Sequence, residues 1–346
     1  MEYHSSFSFG NARIAPGARR TVDLPVSVLS DHTPVTMSAH VIHGRKPGPA
    51  VFVTAGVHGD EIIGVEIVRR LLGHPALAAL KGTLIAIPIV NTYGFLARSR
   101  YLPDRRDLNR SFPGSATGSL AARLADLFLT QVVTRCELGI DLHSAAIHRT
   151  NLPQVRVSPD NPETLRLARL FGAPVILPSK LREGSLRSVA KSHGVDVLLY
   201  EAGEGLRFDE MAVRCGVTGI LRVLKDRGMI SGSVPKPKAE PLLCPTSRWL
   251  RAPQGGLLRT FKREGDVVKP GDVLALVSDP FGEVTAEVAA PVAGIIVGRA
   301  VLPMVNEGDA LFHLAEIASA GAAEATVGAL TGQIEAETLA DEDEII

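Results

Sequence analysis

The feature that most constrains this chain is a set of dense apolar runs, each ending in a histidine or a carboxylate and each set between stretches of helical periodicity. Ala50 to Ala55 is the first such run, followed by Gly56 and a helical pattern over about Glu61 to Leu72. In that pattern Ile62, Val65, Val68 and Leu72 share one side, and Gly73 closes it. A run of this kind reads as a buried central strand entering an amphipathic helix. The alternation predicts strands at Thr83 to Val90, Leu138 to Leu142, Pro174 to Leu177 and Val195 to Tyr200. Helices are predicted at about Leu120 to Thr134, Pro162 to Phe171, Ser185 to His193 and Asp209 to Gly228, with peripheral antiparallel strands over Thr21 to Val41. Strands alternating with helices imply an α/β fold with a mixed, largely parallel sheet flanked by helices, and such sheets place their functional groups where strands end.

Between Met229 and Ser247 the composition shifts to proline, lysine and serine, which marks a domain boundary. The expected division is 1–235 for an α/β domain with N-terminal strands, 236–317 for a small all-β domain, and 318–346 for an acidic tail, disordered or a loose helix. Within the β-rich part, Gly256-Leu257-Leu258 followed by Glu264-Gly265-Asp266 is echoed by Gly294-Ile295-Ile296 followed by Glu307-Gly308-Asp309. These halves resemble the pseudo-symmetric sandwich of lipoyl and biotinyl carrier domains. Carriers hold their cofactor on a lysine at the hairpin tip, whereas the corresponding turn here, Ser278 to Glu283, has none. A carrier role is therefore disfavoured.

Charge excludes further classes. Bases and acids number 37 each, so nothing argues for nucleic acid or an anionic membrane as partner. The tail from Ile317 carries seven acids and no bases, which leaves the remainder mildly cationic, in keeping with an acidic small-molecule substrate. Cys136, Cys215 and Cys244 are odd in number and widely spaced, and read as reduced thiols. No window reaches the roughly 18 to 20 apolar residues of a membrane span, and residues 1–20 lack a signal-peptide core, so a cytoplasmic protein is expected, with a homo-oligomer allowed.

Three elements point to metal chemistry. Gly56-Val57-His58-Gly59-Asp60-Glu61 sets a histidine and a glutamate three apart where a strand turns into a helix, a spacing that can aim both at one point. Gly139-Ile140-Asp141-Leu142-His143 ends a strand with a histidine, and strand period puts Asp141 on its face as a candidate orienting acceptor. Leu198-Leu199-Tyr200-Glu201 ends another strand in a carboxylate that could serve as base. Each alone has a bland reading, as a surface turn, a core histidine or an ion-pair partner. Between the first two lies an arginine-rich loop with Arg98, Arg100, Arg105, Arg106 and Arg110, suited to gripping carboxylates bidentately.

Taken in order, G-V-H-G-D-E, the R-Y and D-L-N-R pair, D-L-H-S and Y-E-A-G resemble the succinylglutamate desuccinylase and aspartoacylase family, a branch of the zinc carboxypeptidase-like fold. The resemblance runs from about Val51 to Glu204, and the C-terminal β region is similar to the family's second domain. It implies one zinc ion per chain on His58, Glu61 and His143, with Glu201 as general base and then acid. It also implies substrate binding by Asn109 and Arg110, and oxyanion stabilisation by Arg100. The loop is longer by a couple of residues, Pro103 to Arg106, than in the best-known members, which leaves Arg105 and Arg106 as alternatives for that last role. The implied activity is deacylation of a small N-acyl amino acid or related carboxylate. The alternative is a metallocarboxypeptidase acting on short peptides, which the C-terminal domain disfavours by walling the cleft. A serine hydrolase using Ser144 is disfavoured because no G-x-S-x-G surrounds it.

Overall fold

Alternating apolar residues at Val22, Leu24 and Val26 bury one face of a long strand, and the chain builds outward to inward from it. The structure, a computed structural model, describes residues 4–336. A small hairpin, β1 (Phe7–Phe9) and β2 (Ala12–Ile14), precedes β3 (Arg19–Val28) and β4 (Pro34–His43), which pair antiparallel. Then come β5 (Lys46–Ala55), α1 (Ile63–Gly73), β6 (Lys81–Ile87), α2 (Thr92–Ala97), α3 (Leu120–Gln131), β7 (Leu138–His143) and β8 (Arg149–Val157). The α/β part closes with α4 (Pro162–Phe171), β9 (Val175–Pro178), α5 (Leu186–Ser192), β10 (Asp196–Glu204) and α6 (Glu210–Asp226). Each expected helix forms, and side-chain caps fix several starts: Ser119 on α3, Asn161 on α4, Ser185 on α5 and Asp209 on α6.

The sheet is mixed. Its parallel heart runs β6, β5, β7, β10, and antiparallel strands extend it on both sides, β4 and β3 beyond β6 and β8 beyond β10. Strand β8 has no counterpart in the sequence expectation, because Pro153 and the polar Asn151, Gln154 and Arg156 interrupt any apolar run. Two cores cover the sheet. One joins α1, α4 and α6 to Val53, Ile140 and Leu198; the other joins α3 and α5 to Phe52, Ile85 and Val197. Every residue of β7 is buried, and each large apolar side chain so placed contributes roughly 1.5–3 kcal/mol. That layer therefore tolerates Asp141 and His143 only because both are paired, as described below.

The C-terminal strands are β11 (Leu242–Leu243), β12 (Ser247–Arg251), β13 (Gly256–Thr260), β14 (Val267–Val268), β15 (Val273–Ser278), β16 (Thr285–Ala289), β17 (Gly294–Ala300), β18 (Met304–Val305) and β19 (Ala310–Glu316). They form a two-layered arrangement, but one layer is not separate from the α/β part. Strand β17 pairs with β8, and β19 and β12 follow it, so the central sheet continues to thirteen strands. The other layer is a four-stranded sheet, β16-β15-β13-β18, packed across Leu258, Leu274, Ile296 and Phe312. The internal repeat appears as the same turn in both halves: Asp266 accepts from the Arg263 N–H at 2.9 Å, and Asp309 from the Asn306 N–H at 2.8 Å.

Of the two forms expected for the alanine-rich segment after residue 318, disordered or a loose helix, the described part takes the helical one, and it is packed. It forms α7 (Ala320–Ala336), because Val327, Leu330 and Ile334 recur at helical spacing and are buried, Ile334 within the α1/α6 core. Gln333 fastens it, accepting from the Lys238 N–H and donating to the Lys236 carbonyl. The acidic residues beyond 336 lie outside the described residues. No helix among the described residues is long and apolar enough to cross a membrane.

Candidate metal centre and active site

The site lies where the parallel strands end. After Ala55 the backbone turns at Gly56, whose φ of +62° favours glycine, and two backbone bonds, Val90 N–H to Ala55 and Asn91 N–H to Gly56, hold the bend. The turn delivers His58 and Glu61, and β7 delivers His143 from the neighbouring strand. One Glu61 oxygen lies 2.6 Å from His58 Nδ1 and the other 2.6 Å from His143 Nδ1. The three ligand atoms all lie within 4.8 Å of one another, and all three residues are buried.

Both imidazoles are already engaged on their other side. His58 Nε2 meets Asp107 Oδ1 at 3.1 Å, and His143 Nε2 meets Asp141 Oδ2 at 2.8 Å. Asp141 is fully buried and also accepts from the Thr54 hydroxyl at 3.2 Å. With the ring protons donated to these carboxylates, each Nδ1 turns a lone pair toward the Glu61 carboxylate. Two such lone pairs facing two carboxylate oxygens repel unless positive charge lies between them, and the Arg100 guanidinium, 3.2 Å from both His58 Nδ1 and Glu61 Oε1, supplies it on the His58 side only. Two buried imidazoliums would meet that need expensively; one divalent cation meets it with the usual carboxylate-supported histidine ligands. Burial opposes the Glu61 anion, yet the two imidazoles hold its carboxyl below the ordinary range. Burial likewise opposes charge on His58 and His143, but the surrounding carboxylates raise both. The donor set, two imidazoles and one carboxylate, fits zinc.

Of the three arginines left open by the longer loop, the structure brings Arg100 to the centre. Its Nη1 lies 3.2 Å from Glu61 Oε1 and its Nη2 donates to Asp107 at 2.9 Å. Arg105 and Arg106 are exposed; Arg106 reaches Asp104 at 3.8 Å, and neither borders the cavity. Asn109 and Arg110 do border it, and Asn109 ties the loop to α5 by accepting from the Leu186 N–H at 2.9 Å.

Glu201 stands within β10, beside His143 in register. Its Oε2 accepts from Asn151 Nδ2 at 2.9 Å and from Arg156 Nη2 at 2.9 Å, while Oε1 has no hydrogen-bond partner among the described residues. Both clamping residues come from β8 and were not anticipated. Gln154 and Arg156 alternate with apolar Val155 and Val157, a period that could have found Arg156, whereas Asn151 falls out of that period and reaches Glu201 through the register shift opposite Glu201 to Gly203. Asn151 keeps its pose through a missing side chain next door: a Cβ on Gly298 would lie 2.5 Å from Asn151 Oδ1. Gly298→Ala is therefore expected to push Asn151 off Glu201 and lower kcat several-fold with little change in metal content, measurable by steady-state kinetics beside metal analysis.

The enclosing cavity, of about 560 Å³, is of small-molecule size. Six arginines border it, Arg100, Arg110, Arg149, Arg156, Arg182 and Arg187, against two carboxylates, Glu61 and Glu201. Arg187, missed by the sequence reading, donates to Ser179 at 2.9 Å but leaves Nη1 buried without a partner. Burial, helped by Arg156 nearby, lowers the Arg187 guanidinium to about 10. An anion entering the cavity relieves both defects.

The chain is similar to several known proteins. Residues 47–227 match the model of the succinylglutamate desuccinylase/aspartoacylase catalytic domain. The N-alpha-acetyl-L-2,4-diaminobutyric acid deacetylase of Halomonas elongata is 28% identical over 307 residues, covering 85% of this chain and 90% of that protein. A succinylglutamate desuccinylase/aspartoacylase from Rhodobacter sphaeroides is 26% identical, with a TM-score of 0.77 over 86% of this chain and 95% of that one. The product-bound ectoine utilization protein EutE (DoeB) from Ruegeria pomeroyi shares the fold, with a TM-score of 0.78 at 24% identity over the same shares.

Proposed function

From the premise that the chain belongs to the succinylglutamate desuccinylase/aspartoacylase family, we propose that it is a zinc-dependent deacylase that hydrolyses the amide bond of a small N-acyl amino acid or related carboxylate. The observation that carries this reading is the meeting of His58, Glu61 and His143 with the half-engaged carboxylate of Glu201 in one arginine-lined cavity.

Zinc held by the His58 and His143 Nδ1 atoms and the Glu61 carboxylate would supply Lewis acidity and lower the pKa of water to roughly 7. The chain's own groups do the rest. Glu201 takes the proton of the attacking water on Oε1, the oxygen left open by the Asn151 and Arg156 clamp, and returns it to the leaving amine nitrogen. Arg100 faces the place where negative charge develops on the carbonyl oxygen and stabilises it. Asn109, Arg110 and Arg187 hold the substrate carboxylate, Arg187 through its unpaired Nη1.

The test is amine release by the zinc-loaded protein from a panel of N-acyl amino acids and short peptides. Turnover of an N-acyl amino acid supports the reading. Cleavage of peptides alone moves the activity to a metallocarboxypeptidase, and cleavage of nothing overturns it.

A further inference from the structure

The four-stranded C-terminal sheet has one face turned to the protein and one turned away from it. Leu258, Leu274, Val288 and Val305 point inward and are buried in one cluster with Ile296 and Phe312 of the other layer. The outward positions line up across the strands. Met304 on β18 pairs with Leu257 on β13, Leu257 with Ser278 on β15, and the Ser278 hydroxyl meets that of Thr285 on β16 at 2.9 Å. Two residues along, Arg259, Leu276 and Glu287 form the next row. Phe261 follows on β13, its ring centroid 5.4 Å from the Arg259 guanidinium. Phe261, Leu257 and Met304 are 46%, 51% and 67% exposed, and Phe281, in the β15–β16 turn at the end of this face, is 84% exposed. Single apolar residues on a surface are ordinary, whereas a contiguous set on one sheet face marks an interaction surface.

The charges on this face select the occupant. Arg259 and Glu287 are both exposed, neither has an ion-pair partner among the described residues, and Leu276 stands between them in the row. Strand β15 is antiparallel to both β13 and β16, so β13 and β16 run parallel. Positions at equal steps from the row therefore correspond, Phe261 with Ala289 and Leu257 with Thr285. Consider a two-fold axis lying in the face, along β15 through Leu276. It lays Arg259 of each copy on Glu287 of the other, Leu276 on Leu276, and the Phe261 ring on the small side chain of Ala289. Met304 and Leu257, on the β18 side, fall toward the β16 side of the second copy and the turn that carries its Phe281. Each cation meets an anion and a bulky ring meets a small residue, in the aligned face-to-face packing that sheets adopt at about 10 Å spacing.

We propose that the outer face of the sheet β16-β15-β13-β18 is the interface of a homodimer, with Leu276 on the two-fold axis and an Arg259–Glu287 pair on each side of it. The Phe261 ring already restricts the Arg259 guanidinium, so less freedom is lost when the pair forms. A second copy is the partner that brings both an anion for Arg259 and a cation for Glu287 at matching positions, and self-complementarity of this kind is what an isologous interface requires. Neither residue borders the arginine-lined cavity, so the dimer stands apart from the deacylase reading.

Sedimentation velocity on the full chain is the test. The unmodified protein is expected to sediment as a dimer at micromolar concentration. Arg259→Glu sets carboxylate against carboxylate at both pairs, and Glu287→Arg sets guanidinium against guanidinium. Each is expected to raise the dimer dissociation constant by about a hundredfold or more. The double exchange, Arg259→Glu with Glu287→Arg, restores opposite charges across the axis and is expected to return the constant to within about tenfold of its original value. General loss of stability cannot produce that rescue, and since both residues are exposed, melting curves of all three variants should match that of the unmodified protein. A monomer at hundred-micromolar concentration overturns the interface whatever the variants do. A dimer that either single exchange leaves intact, or that the double exchange fails to restore, overturns it as well.

Discussion

Glu201→Gln is expected to lower kcat by about 10²–10⁴-fold while leaving the metal content and the fold in place, the range that a positioned general base contributes. The substitution is nearly isosteric, so Asn151 can still donate to the side-chain oxygen that replaces Oε2. What disappears is the capacity of Oε1 to accept a proton, and the charge opposite Arg156. Losing that partner leaves a guanidinium beside Arg187 with one fewer anion; since the pair is partly solvated, about 1–2 kcal/mol of stability should go with it. Steady-state kinetics with thermal melting and metal analysis separate the two effects. A variant that keeps full metal content and more than a tenth of the kcat removes Glu201 from the proton-transfer step, and Glu61, already committed to two imidazoles, offers no replacement.

How much of this site could be read from the sequence depends on how local each group is. His58, Glu61, His143 and Glu201 are legible because each lies at the end of an apolar run or a few residues after it, and parallel strands bring such positions together without further instruction. Arg100 is only half legible: the motif names an arginine, but the extra residues Pro103 to Arg106 leave three candidates, and only the folded contacts to Glu61 and Asp107 select among them. Asn151 and Arg156 were hard to read because Pro153 interrupts the alternation of β8 and a register shift takes Asn151 out of its period, so the segment reads as a loop until the strand is seen between β10 and β17. At the cavity, Arg149, Trp249 and His313 stack together from three distant parts of the chain, and nothing short of the continuous sheet places them so. The same continuity is why a two-domain reading from composition understates how directly the C-terminal strands reach the Glu201 clamp. For α7 a helix was one of two forms expected, but its packing was not: alanine and glycine dilute the pattern of Val327, Leu330 and Ile334, so composition hid a buried stripe.

Removing His143, one of the three proposed ligands, is expected to have the second large effect. His143→Ala should reduce bound zinc from one per chain to less than a tenth of that and abolish turnover, because a histidine and a glutamate alone leave a divalent ion mostly to water. The loss is not repaired from the surroundings: Ser144 contributes its N–H to Glu61, and Asp141 sits behind the vacated ring, its other oxygen accepting from Thr54. Asp141→Asn is the graded counterpart. It keeps all three ligands but removes the charge that fixes the His143 proton on Nε2 and enriches Nδ1 as a donor, and such partners are worth about 10–100-fold in metal affinity. Competition with a chromophoric chelator measures both variants, and melting curves with and without zinc show whether the folded chain is what binds it. Bound zinc should raise stability by RT ln(1 + [Zn]/Kd) in the unmodified protein, about 4 kcal/mol at a thousandfold excess over Kd, and by nothing in His143→Ala. Stoichiometric zinc in His143→Ala would place the ion elsewhere; unchanged affinity in Asp141→Asn would mean that the 2.8 Å contact orients the ring for packing alone.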